Sequence, residues 1–262
     1  MFNGLSLEAH RVASIVQIQN LMSRHSYYHA ANMNSNELED LWSKEHADEL
    51  TWQQNFGMWK SMAHLSPYYG EGHAETGEYI KKQAIAAHPE LAEPLKDVDG
   101  RRLSEMPTHT LTTPIIEIAE DGLPAKGLWY TPGYALRRNY VDETASACWM
   151  WEKYGADFVW ENGEWKFLHI QIGMDIMGNF GESWTDPKPP MGPPPEEEKK
   201  PEPEPETDDE GKELHKSPAM GGGVACPPDG PGKYQVYSRT RVPSEYPRMP
   251  EPYATLSETF SY

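Results

Sequence analysis

The chain predicts an α+β fold, a cone-shaped barrel in which a strongly curved antiparallel sheet is closed by N-terminal helices, followed by an extended C-terminal tail. Three observations predict it. The first ninety residues carry helical periodicity with one short strand between helices. Four long β-rich runs follow, between residues 106 and 177, separated by turn signals. Near Trp184 the composition then shifts abruptly to Pro, Glu and Gly. The expected division is therefore a folded unit at 1–184, a Pro/Glu-rich and Gly-rich linker at 185–232, and an aromatic docking tail at 233–262.

Taken in order, an amphipathic helix runs from about Ser6 to Asn32, with Ser6 as its cap and Val12, Ile15, Val16, Gln19 and Met22 at helical spacing. The polar run Asn32 to Asn36 ends it. A short helix, Glu37 to Ser43, carries Leu38, Leu41 and Trp42, and Leu50 to Asn55 fits a short strand. Phe56 to His73 is aromatic and interrupted by Pro67 and Gly70, so it reads as a loop or broken helix over the mouth of the fold. Glu75 to His88 is a third helix, closed by Pro89.

Met106 to Tyr134 reads as a hairpin. Thr108 to Ile118 is β-branched, Ala119-Glu120-Asp121-Gly122 supplies the turn, and Lys126 to Thr131 resumes an extended pattern. Alternation along the strand puts His109, Leu111, Thr113 and Ile115 on one face. Ala145 to Trp160 is rich in aromatics, Glu161-Asn162-Gly163 is a strong hairpin turn, and Trp165 to Ile176 closes the sheet. On that last strand Phe167, His169 and Gln171 share a face, so His169 is expected to point as His109 does. Pro187 to Pro205 and the acidic run through Glu213 suit an extended polyproline tether. Met220 to Gly232 is Gly- and Pro-rich coil. Tyr234, Tyr237, Tyr246, Tyr253, Phe260 and Tyr262 then mark a segment that docks, on its own core or on a neighbouring subunit.

Composition excludes several classes. In 262 residues, 23 Lys+Arg stand against 41 Asp+Glu, a formal charge of -18 that argues against a nucleic-acid partner. Cys148 and Cys226 make no disulfide framework, and neither a signal peptide nor a membrane span is visible, so a cytoplasmic protein is expected. The histidines, His64, His73, His88, His109 and His169 among them, are read as offering no HxxxH or HxH pair, and no dedicated metal site is expected. A phosphate-binding glycine loop and a Gly-x-Ser-x-Gly elbow are both missing. With 9 Trp and 14 Tyr, most of them before residue 185, the chain carries ring surface suited to a pocket for a flat aromatic ligand.

His109 is the leading candidate for acid-base work, since an imidazole exchanges protons near neutral pH; a hydrogen-bonded core histidine would occupy the same position in the pattern. Tyr27 or Tyr28 could hydrogen-bond a leaving oxygen, and Arg101 or Arg102 could hold a phenolate. Trp52, Trp59, Trp129, Tyr134 and Trp149 are candidates for sandwiching aromatic rings, with His169 and Asn34 as further contacts.

The segment His109-Thr110-Leu111-Thr112-Thr113-Pro114-Ile115-Ile116-Glu117-Ile118, with the acidic Gly turn and Ala125-Lys126-Gly127-Leu128-Trp129-Tyr130, resembles the second-strand signature of SnoaL-like proteins in the nuclear-transport-factor-2-like superfamily. Gln19 to Trp42 and Tyr154 to Ile172 resemble that family's first helices and last hairpin, so the likeness covers roughly residues 8 to 177. In dehydratases of the family, a histidine at the position of His109 and a tyrosine near Tyr27 or Tyr28 do the acid-base work, and an aspartate after that tyrosine pairs with the histidine. This chain has Asn32 and Asn34 there instead. The long extension is similar to that of a bacterial group of lignin-derived diarylpropane γ-formaldehyde lyases. That resemblance implies a cofactor-independent lyase turning a diarylpropane diol into a stilbene with loss of formaldehyde and water; the alternatives are a dehydratase of an aromatic or cyclic alcohol and a non-catalytic ligand-binding or partner-docking member of the fold. It also implies a homo-oligomer, a trimer before a dimer.

Overall fold

The computed structural model describes residues 2–55, 57–103, 105–183, 185, 226–232, 237, 246–256 and 260–262. Helix α1 (Leu7–Ala30) starts at Ser6, whose hydroxyl accepts from the Ala9 N–H at 3.2 Å, and α2 (Asn34–Leu41) follows after a left-handed Asn32. Strands β1 (Thr51–Gln54) and β2 (Gly57–Lys60) form a small hairpin. After it come α3 (Ser61–Leu65), a π-helical turn (Ser66–Glu71), α4 (Gly72–Ala87), the short α5 (Ala92–Leu95) and a 3₁₀ turn (Gly100–Leu103). The rest of the unit is β3 (Glu105–His109), β4 (Thr112–Ile118), β5 (Pro124–Asn139), β6 (Thr144–Glu161) and β7 (Glu164–Asn179).

These strands form one curved, open sheet in the order β2-β1-β7-β6-β5-β3, with β4 also paired to β5. All pairs are antiparallel except β1 with β7. Two bulges in β7, at Leu168 and Asp175 opposite Asp157/Phe158 and Trp151/Glu152 of β6, accompany the curvature, as an extra residue on one strand bends a ladder. Tight turns take positive φ where the chain must reverse, at Gly122 (73°) and at Asn162-Gly163 (52° and 89°). The helices cover one face, and between the two layers lies a core that includes Ile18, Met22, Trp42, Trp52, Phe158 and Phe167. Among the described residues no helix is long and apolar enough to cross a membrane.

Four expectations need correction. On α1, Val12, Ile15 and Val16 are exposed, while the buried stripe is His10, Ser14, Ile18, Leu21, Met22 and His25. That stripe recurs every three to four residues but is half polar, so counting apolar residues selects the wrong face. Phe56 to His73, expected as a loop or broken helix, is the broken helix, α3 running into the π-helical turn, but it opens with the strand β2, which was not expected. His109 and Ile115 do not share a face, because the strand breaks at residues 110–111 and Thr113 takes a φ of 47°; His109 is buried and Ile115 exposed. His169 does not point with His109. It lies opposite Asp157 on the face of the sheet turned away from the helices, where the bulge at Leu168 resets the alternation.

Two C-terminal pieces dock on the chain itself. Cys226–Gly232 runs along β2, where Asp229 accepts from the Lys60 N–H and contacts His64 Nδ1, both at 2.7 Å. Residues 246–256 and 260–262 lie on the outer face of the sheet. There the Glu120 N–H donates to the Tyr253 carbonyl at 3.0 Å, and the Tyr262 N–H donates to Asp157 at 2.8 Å. The anticipated polyproline tether from Pro187, the acidic run, the Gly221-Gly222-Gly223 run and Tyr234 lie outside the described residues.

Candidate active site

A void of about 60 Å³ lies between the end of α1, the π-helical turn and the inner faces of β3, β6 and β7, lined by residues that include His29, Trp52, Tyr69, His109, Glu152 and Tyr154. Each lining group has a local reason to be there. His29 sits one turn after His25 on the buried side of α1, since residues four apart share a helix face. The wide π-helical turn brings Tyr69 inward, where its ring packs on Trp52 at 4.3 Å. On β6, Met150, Glu152 and Tyr154 share a face by alternation.

His109, 8% exposed, is held at the end of β3, where its carbonyl accepts from the Ser26 hydroxyl on α1 at 2.7 Å. Its Nδ1 lies 2.9 Å from Oε2 of Glu152, an ion-pair separation whose angles fall off the line of a hydrogen bond. The anion beside the ring supplies the counter-charge that an imidazolium needs. Burial, then the charge of the neighbouring Glu152 carboxylate, pushes the Tyr154 hydroxyl well above the usual tyrosine range. His29 is centred 5.1 Å from His109. Its ring borders the void and is otherwise enclosed; burial first, then the neighbouring His109, His25 and His73, depresses its basicity well below that of an ordinary histidine, so it is neutral at neutral pH. Burial likewise lowers His73, at the start of α4, to about 4.

A second carboxylate stands behind this wall. Glu37 on α2 is fully buried, accepts from Tyr69 Oη at 2.7 Å and from the Trp42 indole at 3.2 Å, and lies 2.9 Å from His25 Nδ1. Burial, then the charge and hydrogen bond of Glu37, raises Tyr69 well above the usual range.

Of the residues expected at the site, His109 and Trp52 line the void and the others lie elsewhere. Tyr27 is 80% exposed, and Tyr28 donates to Asp40. Arg101 pairs with Asp99 and Arg102 is exposed; neither lines the void. Trp59 stacks on Tyr68, Trp129 packs edge-on to Phe158, Trp149 lies by Trp151 and Phe180, and Tyr134 is half-exposed opposite Trp149 on the neighbouring strand. Asn34 is buried with both side-chain polar atoms unpartnered, away from the void. His169 is held by Asp157 and Ser261 on the outer face. Asn32 donates to the carbonyls of Arg101 and Glu105, so it anchors β3 rather than orienting the imidazole.

Sequence reasoning passed over His29, Tyr69, Glu152, Tyr154 and Glu37. One signal was available: His25 and His29 do form an HxxxH pair. It is not built as a metal site, because their Nδ1 atoms face different partners, Glu37 and Tyr69, and among the described residues no group of three His, Cys, Asp or Glu side chains is placed to hold a metal ion.

No described sequence family and no curated protein matches the chain. Solved structures align with part of it. A type 3 hexachlorocyclohexane dehydrochlorinase from Novosphingobium barchaimii aligns at 16% identity over 69% of this chain and 99% of its own, with a TM-score of 0.41. For a putative scytalone dehydratase from Novosphingobium aromaticivorans the values are 15%, 69%, 96% and 0.40. An NTF2-like protein with a cystatin-like fold from the latter organism aligns at 12% identity over 62% of this chain and 82% of its own, with a TM-score of 0.35.

Proposed function

We propose that this protein is a cofactor-independent lyase that removes water from a hydroxylated aromatic substrate. The observation that carries the reading is the convergence, on one aromatic-walled void, of the His109–Glu152 pair with a second, neutral histidine and two tyrosine hydroxyls. In the reaction, the His109 imidazolium, balanced by Glu152, protonates a benzylic hydroxyl as its C–O bond breaks, and the ring stabilises the carbon left behind. Neutral His29 is the group suited to take the next proton. Positioned acid-base groups of this kind contribute about 10²–10⁴-fold in rate.

The finer proposal is the diarylpropane diol. There the second proton comes from the terminal hydroxyl: its O–H electrons form the carbonyl of formaldehyde, the C–C bond breaks, and that pair forms the stilbene double bond. If the base instead takes the proton on the adjacent carbon, the product is the simple alkene of a dehydratase. The void's size favours keeping this second reading. At about 60 Å³ it is smaller than the roughly 150 Å³ cavity that takes up benzene, so a two-ring substrate needs the π-helical turn to shift and a compact substrate needs less.

The test incubates the purified protein with mono- and diaryl diols, without added cofactor or metal, and follows formaldehyde together with stilbene absorbance. Stilbene with equimolar formaldehyde is the expected result. Alkene without formaldehyde selects the dehydratase, and turnover that survives in His109→Ala removes His109 from the mechanism.

A further inference from the structure

The buried Glu37 carboxylate has no place among the groups that border the void, yet it is tied to one of them. Reading its hydrogen bonds outward fixes protons that the heavy atoms alone do not show. An indole N–H can only donate, so Trp42 gives its proton to Oε1 of Glu37 at 3.2 Å, and His25 Nδ1 lies 2.9 Å from the same oxygen. Oε2 accepts from Tyr69 at 2.7 Å. A tyrosine hydroxyl has one proton, and here it is spent on Glu37. The contact between Tyr69 Oη and His29 Nδ1, at 3.2 Å, can then be a hydrogen bond only if Nδ1 carries the proton and donates it. Since His29 is neutral, its Nε2 is left bare, and among the described residues no group is hydrogen-bonded to that atom.

We infer that Glu37 is a positioning residue which, through Tyr69, holds His29 in the Nδ1–H tautomer and so presents Nε2 as the proton acceptor of the site. The catalytic half of this inference rests on the lyase reading above; the tautomer half does not. A carboxylate acting through a hydroxyl sets which nitrogen of an imidazole carries the proton, much as a directly bonded carboxylate does. The groups facing His29 from neighbouring elements are His25 on its own helix, Tyr69 on the π-helical turn, His73 on α4 and His109 on β3.

The substitution that isolates the effect is Glu37→Gln. Its amide oxygen keeps the bonds on the Trp42 and His25 side, while its NH₂ faces Tyr69 as a donor. Tyr69 must then turn its proton to His29 Nδ1, and the protonated nitrogen of His29 becomes Nε2. The experiment is nitrogen-15 NMR of histidine-labelled protein at pH 7, with His29→Gln assigning the resonance. We expect Nδ1–H in the parent chain and Nε2–H in Glu37→Gln, with kcat down about a hundredfold and KM little changed. Tyr69→Phe, which breaks the chain without touching Glu37, should leave His29 as a mixture of tautomers; it is the variant to use should Glu37→Gln fail to fold. An Nε2–H parent, or a tautomer unchanged in both variants, overturns the relay. Inversion with kcat unaffected removes His29 as the base. Inversion in a chain without turnover on any aryl diol leaves the relay standing and brings down the lyase reading instead.

Discussion

Glu152 places a carboxylate 2.9 Å from the His109 ring, a charged neighbour that a simple core histidine lacks. It lies on a different strand, brought to the imidazole only because β3 and β6 both pair with β5 in the curved sheet, so no spacing in the sequence connects the two residues. Replacing it by Gln keeps the shape but removes the counter-charge. The expected outcome for Glu152→Gln is a fall in kcat of about a hundredfold with an unchanged far-ultraviolet circular dichroism spectrum. Unaltered turnover would mean that His109 works without its carboxylate. Asn32 is committed to the carbonyls of Arg101 and Glu105 and Asn34 lies away from the void, so the anion beside His109 comes from β6.

The tail and the outer face of β5 and β6 depend on each other. Lys126 and Asp157 form a fully buried ion pair at 2.7 Å, roofed by the rings of Tyr253, Phe260 and Tyr262, each 5.1–5.7 Å from the ammonium. Burial alone would raise the Asp157 carboxyl, but the His169 hydrogen bond and the Lys126 charge hold it below its usual range. Asp157→Asn would leave the ammonium buried without its counter-ion, at a cost of about 3–5 kcal/mol, read as a lower urea midpoint. Gly155 lets the roof come close: a Cβ there would lie 2.4 Å from the Tyr262 ring. Gly155→Ala should therefore keep the sheet and free the last residues, visible as faster proteolytic loss of the C-terminus. The rings that marked the tail for docking were legible in the sequence. Their seat was not, because a buried Lys on a strand looks like a solvent-facing one until the partner strand puts Asp157 beside it.

For the molecule as a whole, the histidines around the void make stability depend on pH. His73, lowered to about 4, and His29, lowered well below its ordinary value, are neutral in the folded chain while the unfolded chain protonates both below about pH 6.5. Between those values the unfolded state binds more protons, so stability falls as the pH drops; for His73 alone the loss by pH 4 is on the order of 3 kcal/mol. The carboxylates held low, Asp157 and Glu161, add their loss only at more acid pH. Urea midpoints at pH 7, 5.5 and 4 should decline steadily, and His73→Gln should flatten the decline; a midpoint constant across that range would contradict it. The α+β architecture, the β4–β5 hairpin and the Asn162-Gly163 turn were readable from the residues, because alternation, β-branched runs and positive-φ turn residues are local properties of a chain. The buried face of α1, the His109–Glu152 pair and the reversal of His169 were not. Each depends on which surface a bulge or a break turns inward, and on polar groups buried against partners far along the chain; such pairings exist only once the sheet has curved.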